Sequence, residues 1–466
     1  MTDSKLRYED APDDRMDADD RLRPEFVRDV IARVEAGDDA GARDLIAPLH
    51  PADLADLFEL APSEMRGPLA AAIGEALDGD VLAEMNDHVR EEMIDQLDAS
   101  QVADIASELD TDDAVAIIED MDDADQAAVL RALDPDDRAA IEAALSYPEE
   151  SAGRLMQRDL VAVPEHWSVG QTIDYLRDNS DLTTDFWEVF VVDPTHKPVG
   201  TCQLSWILRT PRTIAIADVM KREQTLIPVD MDQEEVALRF QKYALISAAV
   251  TDADGRLAGM ITVDDIVHVI SHEAGEDILR LSGAGDGDIN QPILESYRGR
   301  VRWLIANLAT ALVASSIIAL FQGTIAQMVA LAALMPIVAG VGGNAGTQTM
   351  AVAVRAIATN QLTDSNTKRT IAREMRIALL NGATIAAIIG IGVSLVFANP
   401  QLGAVIAAAM MTNIFIAGLA GVLVPVLLDR AGQDPAVASS VFVTMTTDSI
   451  GFFAFLGLAT LSGLTG

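Results

Sequence analysis

Basic residues are scarce in this chain: 33 Lys and Arg stand against 72 Asp and Glu, a formal charge of −39. That deficit excludes attraction to nucleic-acid phosphates and favours cations. Cysteine is scarcer still. Cys202, alone in 466 residues, excludes an intramolecular disulfide and any cysteine-rich zinc or iron–sulfur centre. The six histidines form no H-E-x-x-H. His268 and His272 are four apart and near Glu273, but they read as surface residues at a helix end rather than as metal ligands. The opening MTDSKLRYEDAPDDR has no apolar centre, so no signal peptide is expected there and the soluble part should stay in the cytosol. No nucleophile–base pair and no phosphate loop point to an enzyme. Nothing calls for an obligate protein partner.

Apolar residues, by contrast, are abundant: 50% of the chain, with a mean hydropathy of +0.22. An acidic yet apolar chain is not a disordered one, and the two properties coexist only if they are segregated. They are. Residues 1–150 hold 43 acids and 12 bases, residues 151–300 hold 24 and 14, and residues 301–466 hold 5 and 7. The length accommodates about three domains at roughly 150 residues each. The expected fold class is a multidomain membrane protein. An all-α acidic helical-repeat domain (24–150) follows a disordered acidic tail (1–23). Then come an α/β tandem (151–275), a linker with a connecting helix (276–300) and an all-α five-helix membrane domain (301–466).

The membrane assignment rests on apolar runs near 301–321, 325–354, 376–398, 402–428 and 436–463. Each is long enough to cross about 30 Å of hydrocarbon at roughly 1.5 Å per residue. Pro336 and a cluster of glycines predict a kink or tilt in the second. Arg298, Arg300 and Arg302 precede the first span, Arg355, Lys368, Arg369, Arg373 and Arg376 lie between the second and third, and Arg430 follows the fourth. The bias of basic residues towards the cytoplasm puts the N-terminus inside and the C-terminus outside. The segment PILESYRGRVR, after the glycine run 283–287, predicts an amphipathic helix entering the bilayer.

Asp448 is the only acid expected at membrane depth. A carboxylate there costs on the order of 3 kcal/mol unless it faces a wet cavity or a partner. No Lys, Arg or His is expected at membrane depth to pair with it, which leaves a protonated structural Asp or a cation pathway. Thr444 and Thr447 beside it, with Asn344 and Thr347 on the second span, offer oxygen ligands only. That set suits a hard cation such as Mg²⁺.

The soluble part contains two kinds of repeat. Over residues 97–144 a unit of about twelve residues recurs as LDASQVADIASE, LDTDDAVAIIED, MDDADQAAVLRA and LDPDDRAAIEAA. Asp98, Asp110, Asp122 and Asp134 are placed as helix N-caps, with Pro135 at a first helical position. Ile105, Ile117, Val129 and Ile141 follow as core residues. The prediction is a solenoid of short helices with a carboxylate-rich outer face. Residues 151–273 repeat differently: RLMQRDLVAV…VFVVDPTHKPVGT aligns with DVMKREQTLI…AAVTDADGRLAGM. Each unit reads as strand, helix, then strand–turn–strand. The pair resembles tandem CBS domains. That resemblance implies a possible adenine-nucleotide (ATP-type) site at Gly259, Thr262 and Asp265, with Asp on the ribose and Thr on a phosphate. The first unit departs, carrying Gln203 and Trp206 after Gly200.

The full order, together with PIVAGVGGNAGTQTMAVAVR at 336–355 and Asp448 after the D-P-A of Asp434–Ala436, resembles the MgtE family of bacterial magnesium channels or transporters. The resemblance implies a homodimer in the lipid bilayer of the inner membrane. Its pore lies between subunits, with paired Asp448 residues holding hydrated Mg²⁺, and cytosolic Mg²⁺ closes it by bridging acidic domains. Candidate regulatory ligands are Asp252, Asp254, Asp264, Asp265, Glu273, Glu276 and Asp277. Family members often carry Asn where this chain has Ser440, which leaves Co²⁺ or Mn²⁺ as alternative cargo. The rival class is a membrane nucleotide sensor that does not transport. A CBS-regulated anion channel fails on charge, because Asp448 would repel anions.

Overall fold

A computed structural model describes residues 15–119, 121–179, 186–283, 289–363 and 365–464. The acidic stretch 1–14 and most of the glycine run 283–287 lie outside the described residues. The chain divides into two compact units, Met1–Ile270 and Ser271–Gly466.

The first unit begins with short helices: α1 (Pro24–Glu35), α2 (Asp39–Ile46), α3 (Pro51–Leu60), α4 (Ser63–Ile73) and α5 (Gly79–Glu84). The series continues with α6 (Asp87–Ile94), α7 (Ala99–Ala106), α8 (Thr111–Glu119), α9 (Asp123–Ala132) and α10 (Pro135–Leu145). The twelve-residue repeat therefore corresponds to the last four. Asp98 caps α7 through the amides of Ser100 and Gln101, and Gln101 reaches back to the Asp98 amide. Asp122 and Asp134 stand at the N-cap position without a side-chain cap bond, and Pro135 opens α10. Helices pack two apart, α2 on α4, α3 on α5, α7 on α9 and α8 on α10, because none is long enough to bury its apolar face alone. Ile117, Val129 and Ile141 are buried in one continuous core, with Ile105 packed against it.

Residues 15–23 depart from the expected disorder. Met16 and Leu22 pair as a bridge, the Arg23 guanidinium donates to the Met16 carbonyl at 2.6 Å, and Leu22 is buried in the solenoid core. One apolar side chain with a core to enter holds the segment despite its charge.

The second half of this unit holds two three-stranded sheets. In the first, β1 (Ala162–Pro164) runs parallel to β2 (Glu188–Val192), which pairs antiparallel with β3 (Pro198–Gln203). The second repeats the order with β4 (Leu226–Pro228), β5 (Ser247–Thr251) and β6 (Leu257–Thr262). Helices α11 (Val169–Asp178), α12 (Leu204–Arg209), α13 (Ile216–Val219) and α14 (Gln233–Tyr243) complete the pair. The repeats exchange their leading segments: Gln157 bridges to Met260 on β6, and Lys221 bridges to Thr201 on β3. Phe190 and Val192 of one sheet share a core with Ala249, Leu257 and Met260 of the other. Cys202 is buried in β3, and burial pushes its thiol up to about 11, which leaves it an inert core residue.

Helix α15 (Val263–Ser282) runs from the first unit into the second. The second unit then contains α16 (Ile293–Leu320), the short α17 (Gln322–Gln327), α18 (Ala330–Ala358), α19 (Thr367–Val396), α20 (Pro400–Arg430) and α21 (Pro435–Leu461). Five of these are long and apolar enough to cross a membrane. The expected amphipathic entry helix and the first span are one continuous helix, α16. Its Leu304, Leu308 and Leu312 are 65, 61 and 60% exposed, an arrangement that fits lipid and not water. Helix α20 is the hub, packing on α18, α19 and α21. Pro336 lies inside α18; its missing N–H leaves the carbonyl four residues earlier without a helical donor.

Candidate cation pathway and acidic contact

The membrane helices approach through small residues. A methyl at Gly346 would meet Val443 at 2.6 Å and Thr447 at 3.4 Å, and a methyl at Gly451 would meet Asn413 at 2.6 Å. Asn413 also fills the space at Gly342, while Met350 shares a cluster with Val443. The pairs 342 with 451, 346 with 447 and 350 with 443 fix an antiparallel register between α18 and α21. Asp448 therefore lies at the depth of Asn344–Thr347. The register brings together residues that are about 100 positions apart in sequence.

Not all of the predicted oxygen donors share one face. Asn344, Thr347 and Thr444 are exposed in the protomer, and Asp448 is half-buried beside them on α21. Thr447 differs: it is fully buried, and its hydroxyl donates to the Thr444 carbonyl at 3.0 Å. Successive helical residues are about 100° apart, so Thr447 turns towards α18 and α20 while Asp448 turns away. Thr447 is thus a packing residue on the pathway helix.

The acidic contact lies in the first unit, between α8 and the start of α15. Asp265 accepts from the Thr262 hydroxyl at 2.7 Å and the Thr262 amide at 3.3 Å. Its other neighbour is the Asp112 carboxyl, within hydrogen-bonding reach. Asp112 is buried, and its Oδ1 has no protein partner among the described residues. Burial, then the Asp265 charge, holds Asp112 well above the ordinary carboxylate range. The same two causes push Asp113 up to about 6. Asp265 is raised by its own burial first. Two carboxyls this close, one buried and one half-buried, must share a proton or a cation. Arg154 donates to the carbonyls of Leu145 and Tyr147 and pairs with Glu119 at the end of α8 at 2.5 Å.

Other predicted residues are distributed more widely. Asp252 accepts from the amides of Asp254 and Arg256 at 2.9 and 2.8 Å, so its carboxylate shapes the β5–β6 turn. Asp254 and Asp264 are exposed. Gly259 has a packing reason to be glycine, because a methyl would lie 2.6 Å from the Gln157 carbonyl. Thr262 is buried against Asp265, so a ribose at Asp265 would have to take the place of Asp112. His268 and His272 are exposed.

Farther along α15, within the second unit, Glu276 pairs with Arg280, which also reaches Asp434 at 2.8 Å. Burial, followed by the charges of Asp434 and Glu273, raises Asp277. Among the described residues, no three His, Cys, Asp or Glu side chains converge as a ready coordination shell.

Sequence reasoning missed Asp112, Asp113, Arg280, Asp434 and Asn413 as site residues. Asp112 carried no local mark: Asp136 occupies the same place in its own repeat, and only tertiary packing separates them.

Comparison with known proteins agrees with this architecture. Residues 335–458 match the MgtE family model, described as a divalent cation transporter. Residues 49–150 match the MgtE intracellular N domain, and residues 216–272 match a CBS domain. The chain is 34% identical over 317 residues to the magnesium transporter MgtE of Enterococcus faecalis, covering 68% of this chain and 70% of that one. It is 33% identical over 319 residues to the magnesium transporter MgtE of Thermus thermophilus, with the same coverage. A crystal structure of the cytosolic domain of the Mg²⁺ channel MgtE in complex with ATP aligns with 52% of this chain and 99% of that one. Its identity is 28% and its TM-score 0.48. The chain, with its helical N domain, paired CBS folds and five membrane-length helices, belongs to the MgtE family of divalent cation transporters.

Proposed function

We propose that the protein is a Mg²⁺ channel or transporter of a bacterial inner membrane, with its N-terminus in the cytosol and its C-terminus outside. Its pathway lies between two copies of the chain. The observation that carries this reading is the polar stripe at mid-membrane. Asn344, Thr347, Gln348 and Thr444 are exposed on one protomer, at the depth of the half-buried Asp448. Polar side chains facing lipid are costly, so a second copy is the covering that turns this stripe into a water-filled path. Two Asp448 carboxylates across a dimer axis repel unless a cation sits between them. Mg²⁺ gives up water reluctantly, so the carboxylates and hydroxyls hold its waters rather than the bare ion.

Closure by cytosolic Mg²⁺ follows from the acidic contact. Without a cation, Asp112, Asp113 and Asp265 oppose one another, and α8 leaves the CBS pair. With Mg²⁺ the carboxylates are bridged, largely through retained water, and the compact arrangement is selected by its higher affinity. Arg280, Glu276, Asp277 and Asp434 relay the state of α15 to the start of α21.

The test is Mg²⁺ flux into proteoliposomes for Asp448→Asn, with and without a pH gradient. A well-folded variant should lose divalent flux by on the order of a hundredfold, since a charge is removed from each side of a low-dielectric path. Near-normal flux would leave Asp448 a protonated structural residue and return the chain to the sensor reading. Parallel measurements with Co²⁺ and Mn²⁺ assign the cargo.

A further inference from the structure

Asn413, near the middle of α20, is fully buried. Its Nδ2 donates to the Val338 carbonyl of α18 at 2.9 Å. Its Oδ1 is buried with no protein partner among the described residues. Both neighbouring helices make room for this one amide: a methyl at Gly342 on α18 or at Gly451 on α21 would collide with it. An apolar residue of the same shape would avoid the unmet oxygen, so packing alone does not account for Asn at this position.

We propose that Asn413 is a positioning residue for the conduction pathway, setting the rotation of α21 and therefore the direction of Asp448. This inference rests on the reading of Asp448 given above. Gly451 lies three residues beyond Asp448, about 4.5 Å along the helix axis and roughly 60° around it. Wedging the amide against Gly451 fixes one face of α21. The hydrogen bond to Val338 fixes the same amide to α18, two residues past Pro336. The two helices that carry the polar stripe are thereby referenced to one side chain on a third. If that reference is removed, a modest turn of α21 carries Asp448 towards the buried direction now held by Thr447.

The experiment uses full-length protein in proteoliposomes and compares Mg²⁺ with Co²⁺ flux. Asn413→Leu keeps the branched shape and removes the hydrogen bond; Asn413→Ala removes both. Each should lower Mg²⁺ flux by about tenfold, the scale of one lost hydrogen bond, and should change the Mg²⁺ to Co²⁺ ratio. A structural role alone would lower both fluxes by the same factor. Gly451→Ala should harm the native protein but add nothing in the Asn413→Ala background, where the colliding amide is gone. If either folded Asn413 variant keeps both the native flux and the native ratio, or lowers flux with the ratio unchanged, the inference is overturned. So does additivity of the Gly451 and Asn413 changes. Asp448→Asn is measured alongside. Normal conduction there defeats the pathway reading, whereas its loss together with a native Asn413→Leu defeats only the role of Asn413.

Discussion

The two units of this chain bring helices together by different physics. In the first, short helices bury Leu, Ile, Val and Phe in one core and are joined by ion pairs such as Arg66–Glu92 at 2.6 Å. In the second, helices meet where glycine lets one backbone approach another. A methyl at Gly421 would lie 2.8 Å from the Gly346 carbonyl and 3.0 Å from the Met350 amide. Water supplies the driving force for the first kind of packing. Lipid does not distinguish leucine from itself, so the second kind depends on close fit. Carboxylates follow the same division. The first unit has them in excess and brings Asp112 and Asp265 together, while the second has one at mid-membrane depth.

The difference predicts unequal tolerance. Gly421→Val puts a branched side chain against backbone that cannot move aside, and should cost about 3 kcal/mol or more of bundle stability. Detergent unfolding of the purified protein measures it, and a native midpoint would show that the close fit is dispensable. Next in size is the acidic contact. Asp265→Asn removes one bridged carboxylate and should raise the Mg²⁺ concentration for closure by about tenfold, a coupling of ordinary size. Flux recorded against internal Mg²⁺ reports it, and an unchanged midpoint removes Asp265 from the regulatory path.

The pH dependence of the same contact is smaller and has a fixed sign. Asp113 is raised to about 6 when α8 is docked, so the docked state binds the extra proton. Without Mg²⁺, docking should strengthen as pH falls through 6 and weaken as it rises. That proton and Mg²⁺ both favour the docked state, so the closing Mg²⁺ concentration should be equal or lower at about pH 5.5 than at about pH 7.5. Proteolytic protection of α8 at several Mg²⁺ concentrations tests both halves. Last comes Asp136→Asn, which occupies the repeat position of Asp112 and should leave closure within error. A large effect there would mean that overall acidity, and not one contact, operates the switch.

Much of this architecture was legible because it is periodic. Apolar runs of membrane length, the twelve-residue helical unit and the strand–turn–strand repeat each follow from local pattern, and α7–α10, β1–β6 and the five long helices correspond to them. Asp448 was legible for a different reason: a lone acid in an apolar run is expensive wherever the helix packs. Long-range choices were not legible. Nothing near Thr447 marks it as turned inward, and nothing near Asp112 marks it as the acid that meets Asp265. Leu22 ordered a segment that its charge alone would have freed. The value of Asn413 depends on two glycines, 71 and 38 residues away in the chain.

The contact of Arg280 with Asp434 also separates the order of the chain from the path that a force would take through it. Helix α15 is followed in sequence by α16, yet it is fastened to the first turn of α21, 14 residues from Asp448. At 1.5 Å per residue that is a rigid rod of about 21 Å. Under the proposed closure, movement of the lower end of α15 would reach mid-membrane along this rod, through Arg280 and Asp434.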